Sequence, residues 1–255
     1  MIFVIIGLCL LTFIGLVLII KNSIVNRNTL WNFKHCNVIV AGKKGSGKDL
    51  VFQWVINKRK KYYYSNISYG GKHKIISLKE VSCMPNTYYT LINDKVEKQP
   101  HLFKEKCDIY ISDIGNFLPS YMDSTLYKYF PSMPLYYSLS RHLYNNNVHC
   151  NTQNIERGWK ALREQADFYL QVKRTYKLGF LFITKYYSYD RYDSAKQNLL
   201  PIKTRLLNKY SKAEVDIYRA TNGNIEKGYI FQFKWKLKYD TRAFEKILLK
   251  GRRKK

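Results

Sequence analysis

Acidic residues are scarce in this chain of 255 residues. Eighteen Asp and Glu stand against 44 Lys and Arg, giving a formal net charge of +26. Acidic metabolites alone do not call for such a balance, which points to a polyanion or an anionic membrane surface. A Lys-, Asn-, Ile- and Tyr-rich composition from an AT-rich genome is the plainer source of the same excess. Cysteine is also sparse: Cys9, Cys36, Cys83, Cys107 and Cys150 are odd in number and far apart, with no C-x-x-C pair. Neither a disulfide framework nor a zinc knuckle is therefore encoded. The five histidines lack H-E-x-x-H spacing, and no structural metal is expected. The chain is 46% hydrophobic, enough for a real core, so disorder is excluded for most of it.

Charge is missing altogether from Ile2 to Ile20, and at about 1.5 Å per residue this run approaches the roughly 30 Å of bilayer hydrocarbon. No Lys or Arg precedes it, no A-x-A site follows, and Leu8 before Cys9 makes a poor lipobox, which argues against a cleaved signal or a lipoprotein. A single membrane crossing is expected over residues 1–22, followed by a polar linker over 23–35. Lys21, Arg27 and Lys34 all follow the run, so the positive-inside rule puts the N-terminus outside and the main domain in the cytoplasm.

Next, Cys36 to Ala41 reads as a buried strand, and the chain continues GKKGSGKD. Gly42, Gly47 and Lys48 have the G-x4-G-K spacing of a Walker A loop, so Gly42, Lys43, Lys44, Gly45, Ser46, Gly47, Lys48 and Asp49 form the candidate ATP cradle. Lys48 is the candidate catalytic cation, and the helix from about Asp49 to Lys60 aims its positive end at the phosphates. Asp49 stands where a Ser or Thr normally gives its hydroxyl to Mg²⁺, and reads either as a carboxylate ligand or as an ordinary first-turn acid. A second strand, Ile109 to Ser112, carries Asp113 at its C-terminal end, where a Walker B carboxylate would help hold Mg²⁺; a turn residue is the bland alternative. Ile114 follows where many such ATPases have the Glu that activates water.

The βα alternation continues through a strand at Val148 to Thr152, a helix at Ile155 to Gln165 and a strand at Phe168 to Val172. Gln153 ends the first of these, where an amide suits a γ-phosphate sensor. Arg141, Arg157 and Arg163 suit charge stabilisation in trans within a homo-oligomer, or simply a solvated face. The fold class expected is α/β, a P-loop NTPase with a mostly parallel sheet over 36–177, one N-terminal transmembrane helix, and a small β-rich basic extension over 178–255. In that extension, Asn222-Gly223 reads as a turn between strand-like stretches. Tyr229 to Tyr239 alternates strictly, with Phe231, Phe233 and Trp235 expected to pack and Lys234, Lys236 and Lys238 to face outward. Asp240 is expected to cap a short helix to about Lys250, before the basic tail GRRKK.

GKKGSGKD, YYYSNIS with Asn66, YISDIGNFLPS, SRH at Ser140 to His142, and NTQ followed by Arg163 together resemble the zonula occludens toxin-like (Zot) family, related to the gene I assembly proteins of filamentous bacteriophages. The resemblance covers roughly Val38 to Lys173. It implies an ATPase of the host inner membrane that drives assembly and extrusion of a single-stranded DNA phage, with coat and envelope assembly proteins as partners. Asp49, Ile114 and an anchor placed before the ATPase domain depart from familiar members. A conjugation-type or FtsK-like DNA pump and a non-hydrolysing nucleotide-binding membrane adaptor are the alternatives.

Overall fold

The computed structural model describes residues 2–76, 89–92, 95–98, 103–104, 106–129, 134, 137, 140–141, 145–200 and 211–237. Its strands are β1 (Val38–Ala41), β2 (Tyr63–Ser65), β3 (His73–Ile75), β4 (Tyr89–Ile92), β5 (Lys95–Lys98), β6 (Asp108–Ile111), β7 (Asn147–Thr152), β8 (Phe168–Leu178), β9 (Leu181–Tyr189) and β10 (Ile225–Phe233). Eight form one sheet in the order β10-β9-β8-β1-β7-β6-β2-β3, while β4 and β5 pair separately. From β8 to β3 every pairing is parallel, and β9 and β10 are added antiparallel at one edge. The sequence of β1, VIVA, explains its central place: all four side chains are buried, as a strand covered on both faces requires.

Two apolar layers sandwich the sheet. On one face, Val38, Val40, Phe168 and Leu170 pack with helices α1 (Ile2–His35) and α2 (Lys48–Arg59). On the other, Ile39, Ala41, Ile109, Ile111 and Cys150 pack beneath short helices at Ile114–Phe117, Asp123–Tyr129, Lys160–Arg163 and Tyr192–Lys196. The architecture is thus α/β with a mostly parallel sheet, as the alternation of elements in the sequence predicts.

Several boundaries differ. The stretch 23–35 is not a linker but the second half of α1. Val25, Thr29 and Phe33 recur at helical spacing and are all buried against the domain. Asn22 and Asn26 donate to the carbonyl of Tyr229 (both 2.9 Å), and the Tyr229 amide donates back to Asn22 (2.7 Å). α1 therefore caps the outer backbone edge of β10, which blocks further strand pairing there. Within Cys9–His35 an 18-residue stretch of mean hydropathy 1.9 is long and apolar enough to cross a membrane.

The boundary at 177/178 falls inside β8, and β9 and β10 continue the same sheet, so the β-rich segment shares the core of the P-loop region. The stretch before Asn222-Gly223 is a helix, Lys212–Asn222, started by a reciprocal Ser211–Glu214 capping box and stopped at Gly223 (φ 69°). The expected helix over 155–165 is split into a 3-10 turn at Ile155–Arg157 and a helix at Lys160–Arg163.

In β10 the expected facing is inverted: Gly228, Ile230 and Gln232 are buried, while Phe231 and Phe233 are exposed. The register is pinned by Gly228, where an added Cβ would lie 2.3 Å from the Tyr186 ring. With Gly228 fixed over that ring, alternation turns the aromatic positions away from α1 and α2. The strand ends at Phe233; Lys238, Tyr239, the 240–250 helix, the basic tail, Cys83 and His142 lie outside the described residues.

Candidate nucleotide site

β1 ends at Ala41, and the chain turns through residues 42–47 into α2, so the loop lies off the carboxyl end of the parallel sheet, where ligands bind in open α/β folds. The Gly42 amide donates to Thr152 at the end of β7 (3.1 Å). Gly45 and Gly47 adopt left-handed φ of 75° and 101°. At Gly47 a Cβ would meet the Thr175 hydroxyl at 2.1 Å, so both conformation and space demand glycine there. Thr175 in turn donates to the Ser46 carbonyl (2.8 Å), tying β8 to the loop. Lys43, Lys44 and Gly45 are exposed at the apex, and Gly47 supplies no side-chain cap for the first amides of α2. Backbone N–H groups and the positive end of a 12-residue helix are thereby presented to an anion.

Lys48 is buried, and its Nζ donates to the carbonyls of Gly42 (2.9 Å) and Lys43 (3.3 Å). Burial lowers its pKa, opposed by the carboxylates of Asp49 and Asp113. Both acids therefore lie near enough to act on the Lys48 ammonium. Their roles in the packing differ. Asp49 Oδ1 accepts from the hydroxyls of Tyr69 and Ser112 (both 2.7 Å) and from the Asn151 amide (2.8 Å). Asp113 instead follows the strand as a left-handed residue (φ 58°) before the Ile114–Phe117 helix. Burial raises its pKa, the Lys48 ammonium, Asn116 and Arg157 pull it down, and Asp49 adds to the rise. Ile114 is buried.

β7 intervenes between β1 and β6, which makes Asn151 the bridge across the site. Its Nδ2 also donates to Ser112 Oγ (3.0 Å), and its Oδ1 accepts from the Asp113 amide (2.7 Å). Asn66 clamps the same strand end, exchanging two hydrogen bonds with the Ser112 backbone (2.9 and 2.8 Å). Ser112 and Asn151 carry no Walker signature, and the sequence reading passes over both. The available signal was parity: the register pairs Ile111 with Cys150, so the next residues, Ser112 and Asn151, meet at the strand ends.

Gln153 is at the end of β7 as expected, where its side-chain oxygen accepts from Arg157 (3.2 Å). Arg157 is therefore the arginine beside Asp113. Arg163 donates to the Glu156 carbonyl (2.6 Å) and lies over the Tyr192 ring, 5.7 Å from its centroid. Arg141 is not brought to the loop within the chain: it donates to His35 and pairs with Asp167 (3.5 Å), at the end where β1 and β8 begin. Its contacts are those of a strut between α1 and the sheet. Among the described residues, no group of three or more His, Cys, Asp or Glu side chains converges to hold a metal.

No family model matches the chain, and no curated protein matches it. Solved structures do. The N-terminal domain of zonular occludens toxin from Neisseria meningitidis is similar at 11% identity and a TM-score of 0.45, over 82% of this chain and 96% of that one. The genome packaging NTPase B204 from Sulfolobus turreted icosahedral virus 2, in complex with ATP-gammaS, is similar at 14% identity and a TM-score of 0.36, over 64% and 95%.

Proposed function

We propose that this protein is a membrane-anchored P-loop ATPase that powers assembly and extrusion of a filamentous single-stranded DNA phage. The observation that carries the reading is the phosphate loop itself: strand, glycine turn, buried Lys48 and uncapped helix start, built into the same domain on which α1 is docked. Lys48, now on two loop carbonyls, is within its own side-chain reach of any phosphate that enters the loop. The first half of α1 crosses the inner membrane, with the main domain on the cytoplasmic side. The excess of 26 positive charges suits single-stranded DNA or anionic lipid.

The residues beside the loop fit a hard divalent cation, since Asp49 and Ser112 juxtapose a carboxylate and a hydroxyl, both oxygen donors. In a usual P-loop protein the hydroxyl follows the lysine and the carboxylate ends the neighbouring strand. Here the two groups have changed places, Asp49 following Lys48 and Ser112 following β6. Asp49 and Ser112 would hold Mg²⁺, which when bound neutralises charge on the β- and γ-phosphates. Asn151 fixes the pair, Gln153 senses the γ-phosphate, and Asp113, beside Lys48, would help steady the magnesium hydration shell.

A second reading, a nucleotide-binding adaptor without hydrolysis, is favoured by the buried Ile114 in the position of the usual base. ATP turnover by the full chain in lipid nanodiscs separates the two. Wild type is expected to hydrolyse ATP and Lys48→Ala to fall by about 100-fold, the order of a lost transition-state contact. Nucleotide binding without turnover would select the adaptor, and stimulation by DNA rather than coat protein would select a DNA pump.

A further inference from the structure

β10 ends in an aromatic platform that the rest of the domain leaves in water. Phe233 and Trp235 stack at 4.5 Å and 10°, and Phe180, from the β8–β9 turn, stacks on both at 6.1 and 5.6 Å. The Lys234 amide donates to the Phe180 carbonyl (2.8 Å), which locks the turn to the end of β10. Exposure is 59% at Phe180, 65% at Trp235 and 60% at neighbouring Leu178, with Phe231 exposed beside them. Lys234 and Lys236 are exposed beside the same rings, Lys236 with its Nζ 5.9 Å from the Phe233 centroid. A preassembled apolar patch of this size, rimmed with one sign of charge, marks an interaction surface.

The course of α1 says which surface. Asn28 and Trp31 line one cleft with Asn224 and Glu226, while Asn22 and Asn26 reach Tyr229. As β10 advances, the numbering of α1 falls, so the strand runs toward the apolar half of the helix. Phe233 lies four residues beyond Tyr229, about 13 Å along the strand. That distance matches about 6 to 9 residues of helix rise, allowing for a tilt between the axes. Counted back from Asn22 and Asn26, it falls within Phe13 to Ile20, whose described side chains are almost all exposed and apolar.

We propose that the Phe180–Phe233–Trp235 platform is a second membrane contact, inserted at the headgroup level of an anionic leaflet beside the point where α1 enters it. The proposal rests on the reading of α1 as membrane-spanning. Tryptophan with flanking lysines suits that interfacial layer, where rings meet acyl chains and ammonium groups meet lipid phosphate. Leu178 adds aliphatic surface, which suits acyl chains and offers nothing to a stacking nucleobase. Two contacts, α1 and the platform, would fix the tilt of the domain and hence the angle at which the nucleotide loop faces the membrane.

The test uses the full chain in nanodiscs containing brominated lipids, which quench tryptophan by contact. The signal of Trp235 is obtained as the difference between wild type and Trp235→Phe. In anionic nanodiscs that difference is expected to be blue-shifted and quenched about threefold more than in zwitterionic ones, and Lys234→Glu/Lys236→Glu should remove the gain. A Trp235 signal that is red-shifted and unquenched in both lipids overturns the proposal, as does one that is blue-shifted yet unquenched, the result expected if a second copy covers the platform. A signal that shifts only on adding oligonucleotide also overturns it and assigns the rings to DNA. Ile14→Trp in the Trp235→Phe background reports the spanning segment separately. Quenching there without quenching at Trp235 defeats the platform alone, while no quenching at either defeats the spanning reading.

Discussion

At the residue scale, the exchange of Asp49 and Ser112 is the feature that most separates this site from a usual P-loop. Either arrangement places one hydroxyl and one carboxylate together, 2.7 Å apart here, so the pair should tolerate reversal better than loss. Asp49→Ser leaves two hydroxyls and no carboxylate; Ser112→Asp sets two carboxylates face to face and raises the proton affinity of one. Each single change is expected to weaken magnesium-dependent nucleotide binding by about tenfold, or ~1.4 kcal/mol. The double exchange Asp49→Ser/Ser112→Asp should recover most of that affinity. Calorimetric titration of nucleotide with and without magnesium checks this, and a double variant weaker than both singles would show that the cluster is a structural knot. Gly42 through Asp49 were legible in the sequence because spacing alone defines a phosphate loop. Ser112 and Asn151 were not, because a serine and an asparagine gain chemical meaning only when strand order sets them beside Asp49.

At the scale of elements, α1 does two jobs that a sequence scan separates. Hydropathy finds the apolar half, but the polar half looks like linker because its inward stripe of Asn22, Val25, Asn26, Thr29 and Phe33 is only partly apolar. The Asn side chains are spent on the unpaired edge of β10, a use invisible until that strand is placed. Asn22→Ala/Asn26→Ala removes four hydrogen bonds, and at about 1 kcal/mol each the domain should lose roughly 3–4 kcal/mol and become prone to edge pairing. Denaturant midpoints and light scattering on residues 21–255 measure both effects, and a fragment begun at Arg27 should behave like the double variant. β10 shows the complementary failure. Alternation predicted a strand with two faces, and the strand is there, but its aromatic side is turned outward by a single glycine. Gly228→Ala drives a methyl into the Tyr186 ring, whose hydroxyl is held by Thr29 and Asn26 (both 2.9 Å). A loss of about 1–3 kcal/mol is expected, with α1 loosened first, seen as faster hydrogen exchange over residues 22–33.

For the whole molecule, a buried histidine at the junction of α1, α2 and the sheet sets an acid limit on stability. His149 of β7 is packed between Phe33 and Tyr110, each ring 4.9 Å away. Burial holds its imidazole well below the ordinary 6.5, and the Arg59 and Lys61 charges push the same way. The folded state therefore binds fewer protons than the unfolded one just below that value, and stability falls as pH drops from about 6.5, by up to about 1.4 kcal/mol per unit. Asp108 acts with the opposite sign. Burial raises its carboxyl despite Arg59 (2.7 Å) and Lys61 (3.3 Å), so the folded state takes up a proton before the unfolded one as pH falls, which offsets part of the loss. Replacing His149 separates its share from that of Asp108. In residues 21–255, wild type should unfold at clearly lower denaturant at pH 5 than at pH 6.5, while His149→Leu should show a much flatter dependence. Equal slopes in both proteins would mean that the acid loss arises elsewhere in the sheet. The same acidification acts on the junction through which α1 joins the sheet, so the docking of α1 should weaken over the same fall in pH.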